Sequence, residues 1–223
     1  MNPLRSNRFI LIFALLTCLS TFSTASARAQ DWRGNLYLNA DVGSAFQENA
    51  QLRQSLPGYT PLNCTFNPGI RADIDVGYNL NSSWAVELET GFIWNSMDEV
   101  NGVPLSSYSQ SIDIYSVPVL ANIIYKVPTK TSWAPWFGVG AGGVAGIFDF
   151  GTPQGHQRDT DFTFAYQAEA GLKYALTKNA SIGIAYKFLG TPNQRWFLGD
   201  TGNHVTLDGV YINAVMASFT WTF

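Results

Sequence analysis

From residue 36 onward, apolar and polar positions alternate with a period of two, which puts successive side chains on opposite faces of an extended strand. Leu36, Leu38, Ala40 and Val42 are interleaved with Tyr37, Asn39, Asp41 and Gly43. Ile70, Ala72, Ile74, Val76 and Tyr78 are interleaved with Arg71, Asp73, Asp75 and Gly77. The same pattern sets Trp84, Val86, Leu88, Thr90, Phe92 and Trp94 against Ala85, Glu87, Glu89, Gly91, Ile93 and Asn95. It recurs from Phe162 to Tyr174 and from Ile182 to Phe188. Every charge in these five segments falls on one face, so the sorting is structural. Three further strands are less regular. Tyr115 to Tyr125 is apolar on both faces and contains Pro118, Phe137 to Ala145 carries Gly138, Gly140 and Gly142 on one face, and the last runs from about Tyr211 to Phe223. The pattern therefore predicts eight strands and almost no helix.

The connections alternate in length, and this decides topology. Residues 45–68, 96–109, 147–161 and 190–208 are long, whereas 79–82, 128–132 and 175–180 are short. Eight antiparallel strands running up and down put the four long loops at one end, and the three turns with both termini at the other. The predicted class is all-β, an eight-stranded antiparallel up-and-down barrel.

The first 29 residues stand outside this pattern. Arg5 and Arg8 precede an apolar core from Phe9 to Leu19, and small residues follow up to Ala27-Arg28-Ala29, the order of a removable secretory signal. The expected organisation is a signal peptide over 1–29 and one barrel over 30–223. Removing Arg5, Arg8 and Arg28 takes the formal charge from −3 to −6. No Lys/Arg cluster remains to follow a phosphate backbone, so nucleic acid is not an expected partner. Cys64 is the single cysteine beyond the signal, which excludes an intrachain disulfide and a cysteine metal cluster. It is expected to be a loop thiol open to reagents at the cell surface.

A charge-bearing face suits the outside of a soluble barrel or the inside of a membrane barrel. The aromatics choose the second. Trp84 and Trp94 end one apolar stripe, Phe162 and Tyr174 end another, and Trp221 and Phe223 close the last, as aromatic girdles at the two bilayer boundaries require. Only 13% of residues are charged, and no apolar run beyond the signal reaches the roughly 18 residues of a spanning helix. The polar face then lines a narrow lumen. There Arg71, Lys173 and Lys187 are expected to neutralise Asp73, Asp75, Glu87, Glu89 and Glu169 as a structural network, with Arg71 against Glu87 or Glu89.

The chain resembles the OmpA/OmpX-like outer membrane protein beta-barrel (porin) family. The features behind the resemblance are Gly34 to Gly43, Pro68-Gly69-Ile70-Arg71 ahead of Gly77-Tyr78, Val117-Pro118 with Asn122, Phe137-Gly138-Val139-Gly140-Ala141-Gly142, Tyr166-Gln167 with Gly171, and the terminal Phe223. The resemblance implies residence in the outer membrane of a Gram-negative bacterium, amid outer membrane lipid and lipopolysaccharide. It also implies that Phe219, Trp221 and Phe223 are read by the outer membrane assembly machinery. The chain lacks the periplasmic peptidoglycan-binding domain of full-length OmpA, so no cell-wall tether is expected.

Candidate chemistry is sparse. The carboxylates at i, i+2 share a face with Arg71, Lys173 and Lys187, which fits ion pairing better than catalysis. No metal spacing occurs, and the glycine run from Gly138 to Gly146 lacks the Lys-Ser/Thr of a phosphate loop, so no cofactor or metal is expected. Lipid A-modifying barrels need a His beside a Ser. His156 and His204 both lie in long connections, and two residues after His204 stands Thr206, so an enzyme is not expected. The remaining role is that of a monomeric structural or adhesive barrel acting through four extracellular loops, with a small-solute channel as the alternative and a lipid A-modifying enzyme behind it. Its contacts with a host or surface ligand would use Tyr59, Tyr108, Phe150, Trp196 and Phe197, beside Asp149, Asp159 and Asp161.

Overall fold

The computed structural model describes residues 35–55, 58, 60–153, 155–197 and 203–223; the expected signal over 1–29 lies outside them. Eight long strands form a closed ring: β1 (Leu36–Gln47), β4 (Gly69–Asn79), β5 (Trp84–Val100), β7 (Ser111–Lys126), β8 (Trp133–Thr152), β9 (Gly155–Ala175), β10 (Ala180–Thr191) and β13 (Val210–Thr222). Each pairs antiparallel with the next. β13 returns to β1 in a register from Tyr37 opposite Thr222 to Gln47 opposite Ile212. Closure matters because hydrocarbon offers nothing to an unpaired N–H or C=O. The short turns are fixed by side chains: Asn81 Oδ1 accepts from the N–H groups of Ser83 and Trp84, and Thr177 Oγ1 from those of Asn179 and Ala180.

The long connections are less irregular than their composition suggests. Between the ring strands lie β2 (Ala50–Gln54), β3 (Leu62–Phe66), β6 (Val103–Pro104), β11 (Gln194–Phe197) and β12 (His204–Asp208), with one short 3-10 turn at Leu105–Tyr108. β1 continues into β2, β3 into β4, β10 into β11 and β12 into β13, each across a break of one or two residues. Above the breaks the lateral order β3-β2-β12-β11 repeats the order β4-β1-β13-β10 below them. The wall therefore extends past the membrane as sheet, and we call this end the rim. One seam is different. The ladder of β9 with β10 stops at Tyr166 opposite Gly190, and above it Asp161 and Asp159 accept from the backbone N–H groups of Arg195 and Phe197.

Two of the longest strands, β5 and β7, change the character of their outward face on leaving the bilayer. Along β5 the outward residues pass from Val86, Leu88 and Phe92 to Ser96 and Asp98, while the inward ones pass from Glu87 and Glu89 to Ile93 and Met97. On β7, Val119 and Ile123 face out below, whereas Ile112 and Ile114 face in above, beside outward Ser111 and Asp113. Lipid favours apolar groups outside; water above it favours them inside.

The rim consequently has its own apolar core, built from Leu52, Cys64, Met97, Ile112, Ile114, Phe148, Trp196, Val205 and Leu207 among others. Cys64 is 1% exposed, its Sγ lying 3.7 Å from the Leu62 carbonyl oxygen. This corrects the expectation of a reagent-accessible thiol. Burial also pushes its pKa up to about 11, which suppresses the nucleophilic thiolate.

Candidate functional site

Three features hold chemistry: the lumen, the core that closes it and the outer surface of the rim. The lumen centres on Lys187 of β10 and Arg71 of β4. The Lys187 ammonium lies 2.9 Å from Asp41, 3.1 Å from Asp73 and 3.2 Å from Glu89, with Asp75 and Glu169 at 3.8 Å. Arg71 donates through Nε to Asp73 and through Nη2 to Glu89, both at 2.7 Å, and through Nη2 to Gln167 at 2.6 Å. Asn122 and Gln167 donate to the other Glu89 oxygen, and Asn39 to Asp75.

Two members of the expected network are placed otherwise. Glu87 accepts from the Tyr37 hydroxyl at 2.5 Å, so Arg71 meets Glu89 and not Glu87. The Lys173 ammonium lies over the rings of Tyr37 and Trp136, at 5.7 and 5.3 Å, with no carboxylate partner. Asp41, Asn39, Gln167 and Asn122 join the network without having been singled out, although the alternation had placed Asp41 and Asn39 on its face. Glycines make the room. A Cβ at Gly140 would stand 1.7 Å from Asn122 Oδ1, and one at Gly91 would stand 2.2 Å from Asp73 Oδ1.

Above the network the apolar core seals the lumen. Trp196 is wholly buried, donates from Nε1 to the Gly146 carbonyl at 2.7 Å, and stacks on Phe148 with ring centroids 5.2 Å apart. This corrects its expected role as an exposed recognition aromatic. Phe150 is half-buried against the same core, while Tyr108 and Phe197 are exposed. Tyr59 lies outside the described residues. Asp159 and Asp161 serve the seam, and Asp149 lies beneath its partners, so these acids do not present free carboxylates.

The outward face meets lipid and its boundaries. Trp84 packs on Tyr125, and Trp133 on Tyr174, at centroid distances of 4.9 and 4.8 Å near the turn end. Trp221 and Phe223 lie at the same end, both exposed; Phe219 lies further up the same outward stripe, and the Phe223 N–H donates to the Leu36 carbonyl. Near the rim the outward aromatics include Phe92, Trp94, Tyr115 and Phe162, and Trp94 Nε1 donates to Asp113. Higher still, Asp149 of β8 takes His156 Nδ1 at 3.1 Å through Oδ1, and Arg158 through Oδ2. Arg158 and His156 hold the Asp149 carboxyl below the usual carboxylate range. His204 packs its ring against Phe197 at 5.7 Å.

A membrane-type barrel with a charged lumen, an aromatic-edged exterior and a sealed top is thus on hand. Residues 14–223 match the family model described as the outer membrane protein beta-barrel domain. The chain belongs to that family. The family is one of the outer membrane, so the barrel resides in the outer membrane of a Gram-negative bacterium. Among solved structures the family barrel is similar to the outer membrane protein OprG from Pseudomonas aeruginosa, with 16% identity and a TM-score of 0.59 over 86% of this chain and 97% of that one. It is also similar to AlkL, determined by solid-state NMR in DMPC lipid bilayers, with 16% identity and a TM-score of 0.53 over 90% and 97% of the two chains. Neisserial surface protein A shares 17% identity and a TM-score of 0.51 over 84% and 97%. No curated protein matches the chain. At these identities the likeness speaks for the fold.

Proposed function

We propose that this barrel is a structural and adhesive element of the cell surface, whose contacts are made by the rim and not by traffic through the lumen. The observation that carries the reading is the filled interior. Arg71 and Glu89 at 0% exposure, Lys187 at 1%, and Leu120 and Trp196 at 0% are buried from water, whereas side chains lining an aqueous channel stay wet. A rim made of sheet supports recognition, because a rigid scaffold lowers the ordering cost of contact. Exposed Tyr108, Phe197, Arg53, His156 and Arg158 give it aromatic and charged contact points for a glycan, a matrix protein or lipopolysaccharide.

Planar bilayers containing the purified barrel should show no conductance above the bare bilayer, while the barrel immobilised in detergent should retain a member of a panel of those three ligand classes. Stepwise ohmic conductance would replace this reading with the channel.

The outward stripe of Phe219, Trp221 and Phe223 is proposed as the assembly signal. Deleting Phe223 removes one backbone bond at the end of the closing ladder, so refolding in detergent should survive. Its outer membrane level in cells should nevertheless fall sharply; normal levels by fractionation would refute the proposal.

A further inference from the structure

Antiparallel register brings together on the rim two residues far apart in sequence. Ser111 of β7 and His156 of β9 flank Gly151 of β8 in one lateral row, and Asp149 stands two residues from Gly151 on the same outward face. Gly151 has no side chain to keep its neighbours apart. A Cβ there would stand 2.5 Å from Ser111 Oγ, 3.1 Å from His156 Cε1 and 3.4 Å from its Nδ1, so the hydroxyl and the ring corner next to Nε2 overhang the same residue. His156 Nδ1 is taken by Asp149 Oδ1, which leaves Nε2 as the free ring nitrogen, and Arg158 fixes the other Asp149 oxygen. Each part has its role in acyl transfer: a hydroxyl nucleophile, an imidazole base and a buried carboxylate that orients the base.

We propose that Ser111, His156 and Asp149 form a hydrolytic site for short-chain acyl esters on the outer face of the rim. This activity shares His156 and Arg158 with the recognition surface but does not require that any ligand be retained there. His156 Nε2 accepts the Ser111 proton as Oγ bonds to the ester carbonyl carbon. The bond to the alcohol oxygen breaks, and the alcohol leaves with that proton. Water, deprotonated by His156, then attacks the acyl-serine, releasing the carboxylic acid and restoring the hydroxyl. The height of the site selects the substrate. His156 lies six residues along β9 beyond Phe162 of the upper aromatic belt, roughly 15 Å above it for a tilted strand. That reach suits an ester presented from water, such as an acylated sugar, and not one within the hydrocarbon.

The test is covalent labelling of the folded barrel in detergent with a fluorophosphonate, mapped by mass spectrometry, together with hydrolysis of p-nitrophenyl acetate. The adduct should fall on Ser111 and be absent in Ser111→Ala. His156→Ala should slow its formation about a hundredfold, the contribution of a positioned base. Gly151→Ala keeps all three groups but wedges Ser111 from His156, and should abolish ester turnover. The heat-dependent gel shift would show that each variant is folded. Failure to label Ser111, or equal labelling rates with and without His156, would overturn the proposal.

Discussion

Replacing Lys187 with Met should lower the stability of the refolded barrel by about 3–5 kcal/mol, the range for removing one partner from a buried ion pair. Asp41, Asp73, Asp75, Glu87, Glu89 and Glu169 are all buried in the lumen, and among the described residues they share two buried cations, Lys187 and Arg71. Lys187 reaches five of those six within 4 Å, whereas Arg71 pairs with Asp73 and Glu89 alone. Loss of the lysine therefore strands Asp41, Asp75 and Glu169 together. Urea unfolding in lipid vesicles measures the effect, and a midpoint equal to that of the unaltered barrel would refute it. A companion cycle tests partner choice. Glu89→Gln should recover part of the loss in Arg71→Leu, and Glu87→Gln should not, because Glu87 is held by Tyr37.

Trp196→Ala should cost a similar ~3–5 kcal/mol, by a different mechanism. The indole fills the centre of the rim core, and its removal leaves a cavity against Phe148 and takes away the hydrogen bond to the Gly146 carbonyl. Trp196→Phe keeps the stack and loses only the hydrogen bond, so it should cost about 1 kcal/mol. The damage should be local. β11 is tied to β9 by two carboxylate-to-amide contacts, not by a ladder, so the alanine variant should be cut by trypsin after Arg195 much faster than the unaltered barrel. The membrane ring below should keep its heat-dependent gel shift. Equal cleavage rates would show that Trp196 does not hold the rim closed.

Within the bilayer the architecture was readable because lipid and lumen impose opposite demands on alternate residues. Strands such as Ile70 to Tyr78 declare both faces at once. Above the bilayer the alternation persists, but its sense is inverted. Leu52 lies inward beside outward Arg53, and Val205 and Leu207 inward between His204, Thr206 and Asp208. Segments of four or five residues with the reverse polarity, flanked by Asn, Pro and Gly, look like loops when the outward apolar stripe is taken as the mark of a strand. That is why the sequence alone puts Trp196 and Cys64 at the surface, whereas the fold buries both in a core.

The lumen charges were legible as a set but not as pairs, since strand stagger decides which carboxylate meets which cation. Lys187 on β10 meets Asp41 two strands away and Asp73 three strands away, a relation no spacing along the chain encodes. Equally, a search for His beside Ser along the sequence misses Ser111 and His156, which become neighbours only through the register of three strands.

The hairpin tip at Asn101–Gly102, where both residues adopt a left-handed backbone (φ 51° and 77°), carries a practical consequence for grafting foreign peptides onto the barrel. A Cβ at Gly102 would meet nothing within 4 Å, and the tip lies beyond the short pairing of β5 with β6. A graft there would project from a stiff two-stranded arm. The same graft placed near Cys64 or Trp196, in segments whose composition looks equally permissive, would split the rim core.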